Sequence, residues 1–397
     1  MLLITKASLI FLTALYLLAY TLTMKNERNS SIEILRIFAM VLICICHTIP
    51  ETAYPSGSAA NPFIIGVASA DPQYFLASCM EAAGIIGDVI FIVCSSYFLL
   101  ESKKMKIGKV ALMLLNTFII SLIFMTVILS LGYKLSAFEI VRQIFPTLFQ
   151  NNWFVTYYIL FYLIHPLLNK IIHMLDKKAL GIAAALLFVE CYIFLFIQAE
   201  APGINKLLCF VAIYFIVAYF KYYGQAFTQS KKWNIIVLVC SIVLYYAMML
   251  MVNYVGLRKY TDGDCPLFHL FHINNPIILA FSLSLFNLAN RRQFISKRIN
   301  FIASLSLLFY LIHHNNLFAK YIQPKWNEWF VEQFGGNLIV PDMLILSAIL
   351  FSAGIALAAV YKLTIERGTA YLADKLQTLS DKTVEKIKNR KNENRPT

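Results

Sequence analysis

The sequence predicts an all-α, polytopic transmembrane helical bundle, and three observations carry that prediction. Of 397 residues, 59% are hydrophobic and only 14% charged, with a mean hydropathy of +0.68; a soluble domain of this length carries far more charge. Apolar runs of about 20 residues recur from end to end, each long enough to cross a hydrocarbon core of about 30 Å. The positive charge, +13 net, sits in short clusters between those runs, which is how membrane topology is written. A nucleic-acid partner is therefore not expected; the lipid bilayer is.

Ten core spans are expected, at 33–50, 81–100, 108–131, 152–172, 179–198, 207–222, 234–255, 271–289, 300–318 and 342–363. Lys25 and Arg28 precede the first, and Lys103, Lys104, Lys106 and Lys109 separate the second from the third. Lys170, Lys177 and Lys178 lie between the fourth and fifth, Lys231 and Lys232 before the seventh, and Arg291, Arg292, Lys297 and Arg298 between the eighth and ninth. Placing these clusters inside puts both ends of the ten-span set in the cytoplasm. Residues 1–24 form either an extra N-terminal span (3–23) or an upstream extension before Met24, residues 25–365 the membrane domain, and 366–397 a basic cytoplasmic tail. The longer outer loops, at 51–78, 132–151, 256–270 and 319–341, are too short for a folded domain. Any chemistry must be done by the membrane domain itself. Most cysteines lie inside apolar runs, no CxxC pair occurs, and no metal site is expected.

Ionisable groups inside a span are expensive and become functional candidates. The first core span holds Glu33, Arg36 and His47. Arg36 and His47 are eleven residues apart, which on a helix leaves them within about 20° of one face and about 16 Å apart along the axis. Glu33 falls on nearly the same face. A carboxylate and a guanidinium near the inner surface, with an imidazole near the outer one, suggest a protein-lined path. Each residue also has a plain reading: a snorkelling anchor for Arg36, an interfacial group for His47, a helix-supporting pair for Glu33 and Arg36.

Arg-x10-His in the first core span resembles the hallmark of the acyltransferase 3 family, bacterial integral-membrane O-acyltransferases of surface carbohydrates. The lead-in Ile32-Glu33-Ile34-Leu35-Arg36-Ile37-Phe38-Ala39-Met40 is similar to the family's entry to that span. Phe91 to Leu99, with Ser95, Ser96 and Tyr97, followed by Lys103, Lys104 and Lys106, resembles its Phe-x-x-x-Ser-Gly-Tyr segment; Ser96 stands where Gly is usual. Trp153-Phe154 through Tyr157 to Pro166 and Asn169, and the late Tyr310-Leu311-Ile312-His313-His314-Asn315, resemble two further family segments. The resemblance implies a membrane O-acyltransferase that moves an acyl group, acetyl by default, from cytoplasmic acyl-CoA to a hydroxyl of an extracytoplasmic polysaccharide or lipid-linked glycan. It implies the bacterial cytoplasmic membrane and no cofactor beyond the donor substrate.

On that reading Arg36, Lys103, Lys104 and Lys106 bind the donor's phosphates, and Glu33 orients Arg36. His47 is the general base or a transient acyl carrier. Trp153, Tyr157, His313 and His314 are the candidates for holding the acceptor. Two alternatives stay open: a transporter or flippase of lipid-linked oligosaccharides, and a membrane glycan polymerase.

Overall fold

The computed structural model describes residues 28–49, 72–102, 104–194, 204–259, 272–335 and 338–393. Of these, 84% are helical and none is in a strand. The helices are α1 (Ser30–His47), α2 (Pro72–Leu99), α3 (Ile107–Ser130), α4 (Ala137–Ile144), α5 (Trp153–Met174) and α6 (Lys177–Phe188), which runs into a π-helical turn at Val189–Phe194. They continue with α7 (Ile204–Tyr223), a single helical turn at Gln225–Thr228, α8 (Lys231–Lys259), α9 (Pro276–Asn290), α10 (Lys297–Ser304), α11 (Ser306–His313), α12 (Asn316–Tyr321), α13 (Gln323–Phe334), α14 (Ile339–Leu363) and α15 (Ile365–Glu393).

Among the described residues six helices are long and apolar enough to span: α1, α3, α5, α14, and the stretches Lys206–Tyr223 of α7 and Lys231–Met251 of α8. A seventh follows if α10 and the helices after it, bent by 42°, count as one broken span. Ala83–Leu99 and α9 are shorter apolar helices. The bundle is therefore polytopic and helical, as the hydropathy requires. The candidate span at 3–23 lies outside the described residues.

α1 and α2 run antiparallel and set the frame for everything else. Two glycines let them close: a Cβ on Gly84 would stand 2.7 Å from the Cys46 sulfur, and one on Gly87 2.6 Å from the carbonyl oxygen of Ala39. Small residues at such a crossing let backbones approach in a membrane, where packing replaces the hydrophobic drive. Gly87→Ala is expected to destabilise the protein by about 1–3 kcal/mol, since backbone cannot yield as a flexible side chain does. Thermal unfolding of the detergent-solubilised protein measures it, and an unchanged midpoint would count against the close crossing.

Polar residues at helix ends do ordinary work. Asn29 caps α1 and Asn275, ahead of Pro276, caps α9. Pro166 inside α5 cannot donate to the carbonyl of Tyr162, and the His165 side chain bonds that oxygen instead. One turn on, Asn169 donates to the carbonyls of Leu99 and Ser102 at 2.9 and 3.1 Å, which ties α5 to the end of α2. The basic tail docks on the bundle: Gln377 accepts from the Gly108 backbone at 2.9 Å, and Glu366 from Asn116 at 2.9 Å. Its first turns thus pack along α3.

Candidate active site

α1 is pinned at both ends. At its start the Ser30 hydroxyl donates to Asn300 at 2.8 Å and its backbone N–H to Phe294 at 2.8 Å. At its end Thr48 donates to the carbonyl of Met343 at 3.1 Å and meets the Ser347 hydroxyl at 2.5 Å. Side chains on such a helix are held in place by the scaffold. Arg36, Met40 and Ile43, one stripe of α1, line a cavity of about 210 Å³. Phe91 and Ser95 of α2, Met113 of α3, Phe154, Val155 and Tyr158 of α5, and Ser306, Leu307, Phe309, Tyr310 and His313 of α11 complete it. The part of the stripe from Arg36 to Ile43 faces a void.

Arg36 marks one end of the cavity. Its Nη1 lies 3.4 Å from Glu33, which is 3% exposed and is also met by Arg28 at 3.8 Å. One carboxylate thus answers two guanidiniums, and Arg36 keeps spare donors. Its Nε is buried and has no hydrogen-bond partner among the described residues, a state that costs free energy unless something occupies the site. The guanidinium stands 5.7 Å from the centre of the Phe91 ring.

The basic loop after α2 lies beyond this same end, because α2 runs antiparallel to α1. Lys104 and Lys106 are exposed there, and the Lys106 backbone N–H donates to the Tyr162 hydroxyl at 3.3 Å. Lys103 lies outside the described residues. Lys109 follows on α3, one turn from the cavity-lining Met113. Lys221, in contrast, is taken: it bonds Glu101 at 2.9 Å and the carbonyl of Tyr97 at 2.7 Å. That hydrogen bond holds the Glu101 carboxyl below its ordinary value.

Behind the other end stands His47. Its Nδ1 is 3.1 Å from Nε2 of His313. Its ring stacks on His314, with centroids 3.8 Å apart and an 18° interplanar angle. Gln323 holds the His47 carbonyl at 3.2 Å. His313 is 6% exposed and its Nδ1 lies 2.9 Å from the Phe309 carbonyl. Of the three imidazoles His313 lines the cavity, opposite the guanidinium; His47 packs behind it and His314 against His47.

A family model described as an acyltransferase domain, that of the acyltransferase 3 family, matches residues 29–363. The chain belongs to the acyltransferase 3 family. No curated protein and no solved structure matches it significantly. Acyltransferase membership favours acyl transfer over the transporter and polymerase readings.

In this membrane acyltransferase the residues singled out by sequence fall into distinct places. Arg36 and His313 line one cavity; Glu33 stands behind Arg36, and His47 and His314 stand behind His313. Trp153 sits apart from its lining, with the Lys206 ammonium 4.4 Å from the ring centre. Tyr157 turns away: it is buried, its hydroxyl lies 3.4 Å from Gln150, and its neighbours Phe154 and Tyr158 face the cavity instead. The helical register of α5 decides this, since successive residues point about 100° apart. On α13, Trp326 donates to Asp342 at 2.7 Å. Ser96, in the place of the usual Gly, is buried with an unpartnered hydroxyl among the described residues.

Asp88 escaped the sequence reading, although the rule that picked Arg36 applies to it. It lies in the apolar body of α2, is 6% exposed, and its Oδ1 makes no hydrogen bond among the described residues. Positions 88, 91 and 95 share one face of a helix, so Asp88 continues the face that gives Phe91 and Ser95 to the cavity. Lys206 is a cation in its neighbourhood, without an ion pair between them among the described residues.

Proposed function

We propose that this protein transfers an acyl group, acetyl by family default, from cytoplasmic acyl-CoA to a hydroxyl of an extracytoplasmic polysaccharide or lipid-linked glycan. The observation that carries the reading is the cavity with a spare-donor guanidinium at one end and, at the other, His313 backed by His47 and His314. With the basic loops inside, the guanidinium end faces the cytoplasm of a bacterial cell and the imidazole end faces out.

Arg36 then meets the donor's phosphates, with Lys103, Lys104 and Lys106 adding positive potential at the mouth. A cavity of about 210 Å³ admits the acyl-thioester end of a slim arm but not a nucleotide. The rise from Arg36 to His47, about 16 Å, is comparable with an extended pantetheine arm. A sugar hydroxyl is a weak acid, so a base must take its proton as it attacks. His47 takes that proton while the oxygen forms its bond to the acyl carbon. The C–S bond then breaks, and the leaving thiolate takes the proton from the imidazolium. Atoms balance as glycan ester plus free CoA. Asp88 and Lys206 supply hydrogen-bonding capacity for a polyhydroxylated acceptor on the α2 side.

Mass spectrometry of the surface glycan from cells with and without the protein tests the reading. Ester groups are expected to vanish without it, while chain length and amount stay the same; altered chain length or amount with esters intact would refute it. For Asp88→Asn the expected outcome is an acceptor KM raised about 10-fold, the scale of one lost hydrogen bond, with the KM for acyl-CoA unchanged. An unaltered acceptor KM would remove Asp88 from the acceptor side.

A further inference from the structure

The hydrogen bonds around His47 order its protons. The Phe309 carbonyl is an acceptor only, so His313 donates to it from Nδ1 at 2.9 Å. A buried imidazole with no carboxylate partner is held neutral by the cost of desolvation, so Nε2 of His313 carries a lone pair. That atom is 3.1 Å from Nδ1 of His47. Nδ1 of His47 must then be the donor, which leaves the lone pair of His47 on Nε2.

We infer that His313 is a positioning residue that fixes His47 in the Nδ1–H tautomer and thereby makes Nε2 the atom that takes the acceptor's proton. The inference rests on the reading of His47 as the base. Without a partner, neutral histidine carries its proton mainly on Nε2, which would leave the wrong nitrogen basic. His313 corrects this at the expense of its own acceptor atom, and the backbone of α11 in turn orders His313. His314, stacked at 3.8 Å, stops the His47 ring from turning. These two imidazoles are the titratable rings in contact with His47. α13 and α14 reach its backbone and Thr48 through uncharged Gln323 and Ser347.

The arrangement also explains a pair of adjacent histidines with unlike surroundings. His313 is fully engaged through both ring nitrogens, to Phe309 and to His47, and is stacked on the Phe309 ring at 4.4 Å. An acceptor-binding role needs a free polar edge, and His313 has none left. Its place in the reaction is behind the base.

The test is the ring-nitrogen spectrum of the full-length protein carrying 15N-labelled histidine, with the His47 signals assigned by their loss in His47→Ala. In the unsubstituted protein His47 is expected to show a protonated Nδ1 and an unprotonated Nε2. His313→Leu, which keeps bulk but offers no acceptor, is expected to move the proton to Nε2 and lower kcat about 100-fold, the low end of general-base contributions, with the KM for acyl-CoA unchanged. His313→Gln, whose amide oxygen accepts, is expected to restore the Nδ1–H form and much of the rate. A merely structural His313 would change stability without moving the tautomer. A protonated Nε2 in the unsubstituted protein, or a tautomer and kcat indifferent to His313→Leu, overturns the inference. Full activity of His47→Ala is a different result, and overturns the reading of His47 itself.

Discussion

His47→Ala is expected to give a folded, membrane-inserted protein without measurable acyl transfer. A positioned base contributes about 10²–10⁴-fold to a proton-transfer step, and neither neighbouring imidazole can replace it. His313 is bonded through both ring nitrogens, and His314 has its face against His47. The cost to the fold is modest. The substitution leaves Nε2 of His313 without a donor, worth about 1–3 kcal/mol if the site stays dry, and removes one ring stack. Transfer from labelled acyl-CoA to surface glycan, measured beside the elution profile in detergent, separates the two effects. Normal transfer by a well-folded variant would refute the catalytic role.

Arg36→Ala is expected to raise the KM for acyl-CoA at least 10-fold and to destabilise the protein as well. Glu33 is buried, and without Arg36 its remaining cation is Arg28 at 3.8 Å, itself half exposed. Breaking a buried pair by removing one partner costs about 3–5 kcal/mol, here less because Arg36 keeps partial access to solvent. The double variant Glu33→Gln with Arg36→Ala separates the effects, since it removes the stranded carboxylate but restores no phosphate contact. Its stability is expected to recover while donor affinity stays low. Arg36→Lys is expected to fall between, because an ammonium cannot reproduce the planar fork. Unchanged donor affinity in Arg36→Ala would contradict the phosphate role.

Much of this site could be read from sequence because helix periodicity is rigid. A separation of eleven positions fixes Arg36 and His47 on a common stripe whatever the tertiary packing, and Glu33 needs only the same helix to reach Arg36. Positions that depend on which way a helix is rolled were not legible in the same way. An aromatic-rich run such as Trp153 to Tyr158 offers a candidate on every side, and only the packing of α5 sends Phe154 and Tyr158 into the cavity and Tyr157 toward Gln150. The roles of His313 and His314 were hidden for another reason. They depend on contacts with a residue some 266 positions away in the chain, and on the carbonyl of Phe309. Asp88 was legible and overlooked: an aspartate within an apolar run is as conspicuous as Arg36. The docking of α15 had no signal in hydropathy, because it rests on Gly108 and Asn116 meeting Gln377 and Glu366.

The most direct measurement is a structure of the full-length protein bound to a non-reactive thioether analogue of acyl-CoA. The account predicts phosphates against Arg36, the pantetheine arm beside Met40 and Ile43, and the acyl carbonyl on the Nε2 side of His47. An analogue seated elsewhere, with this cavity still open, would contradict it.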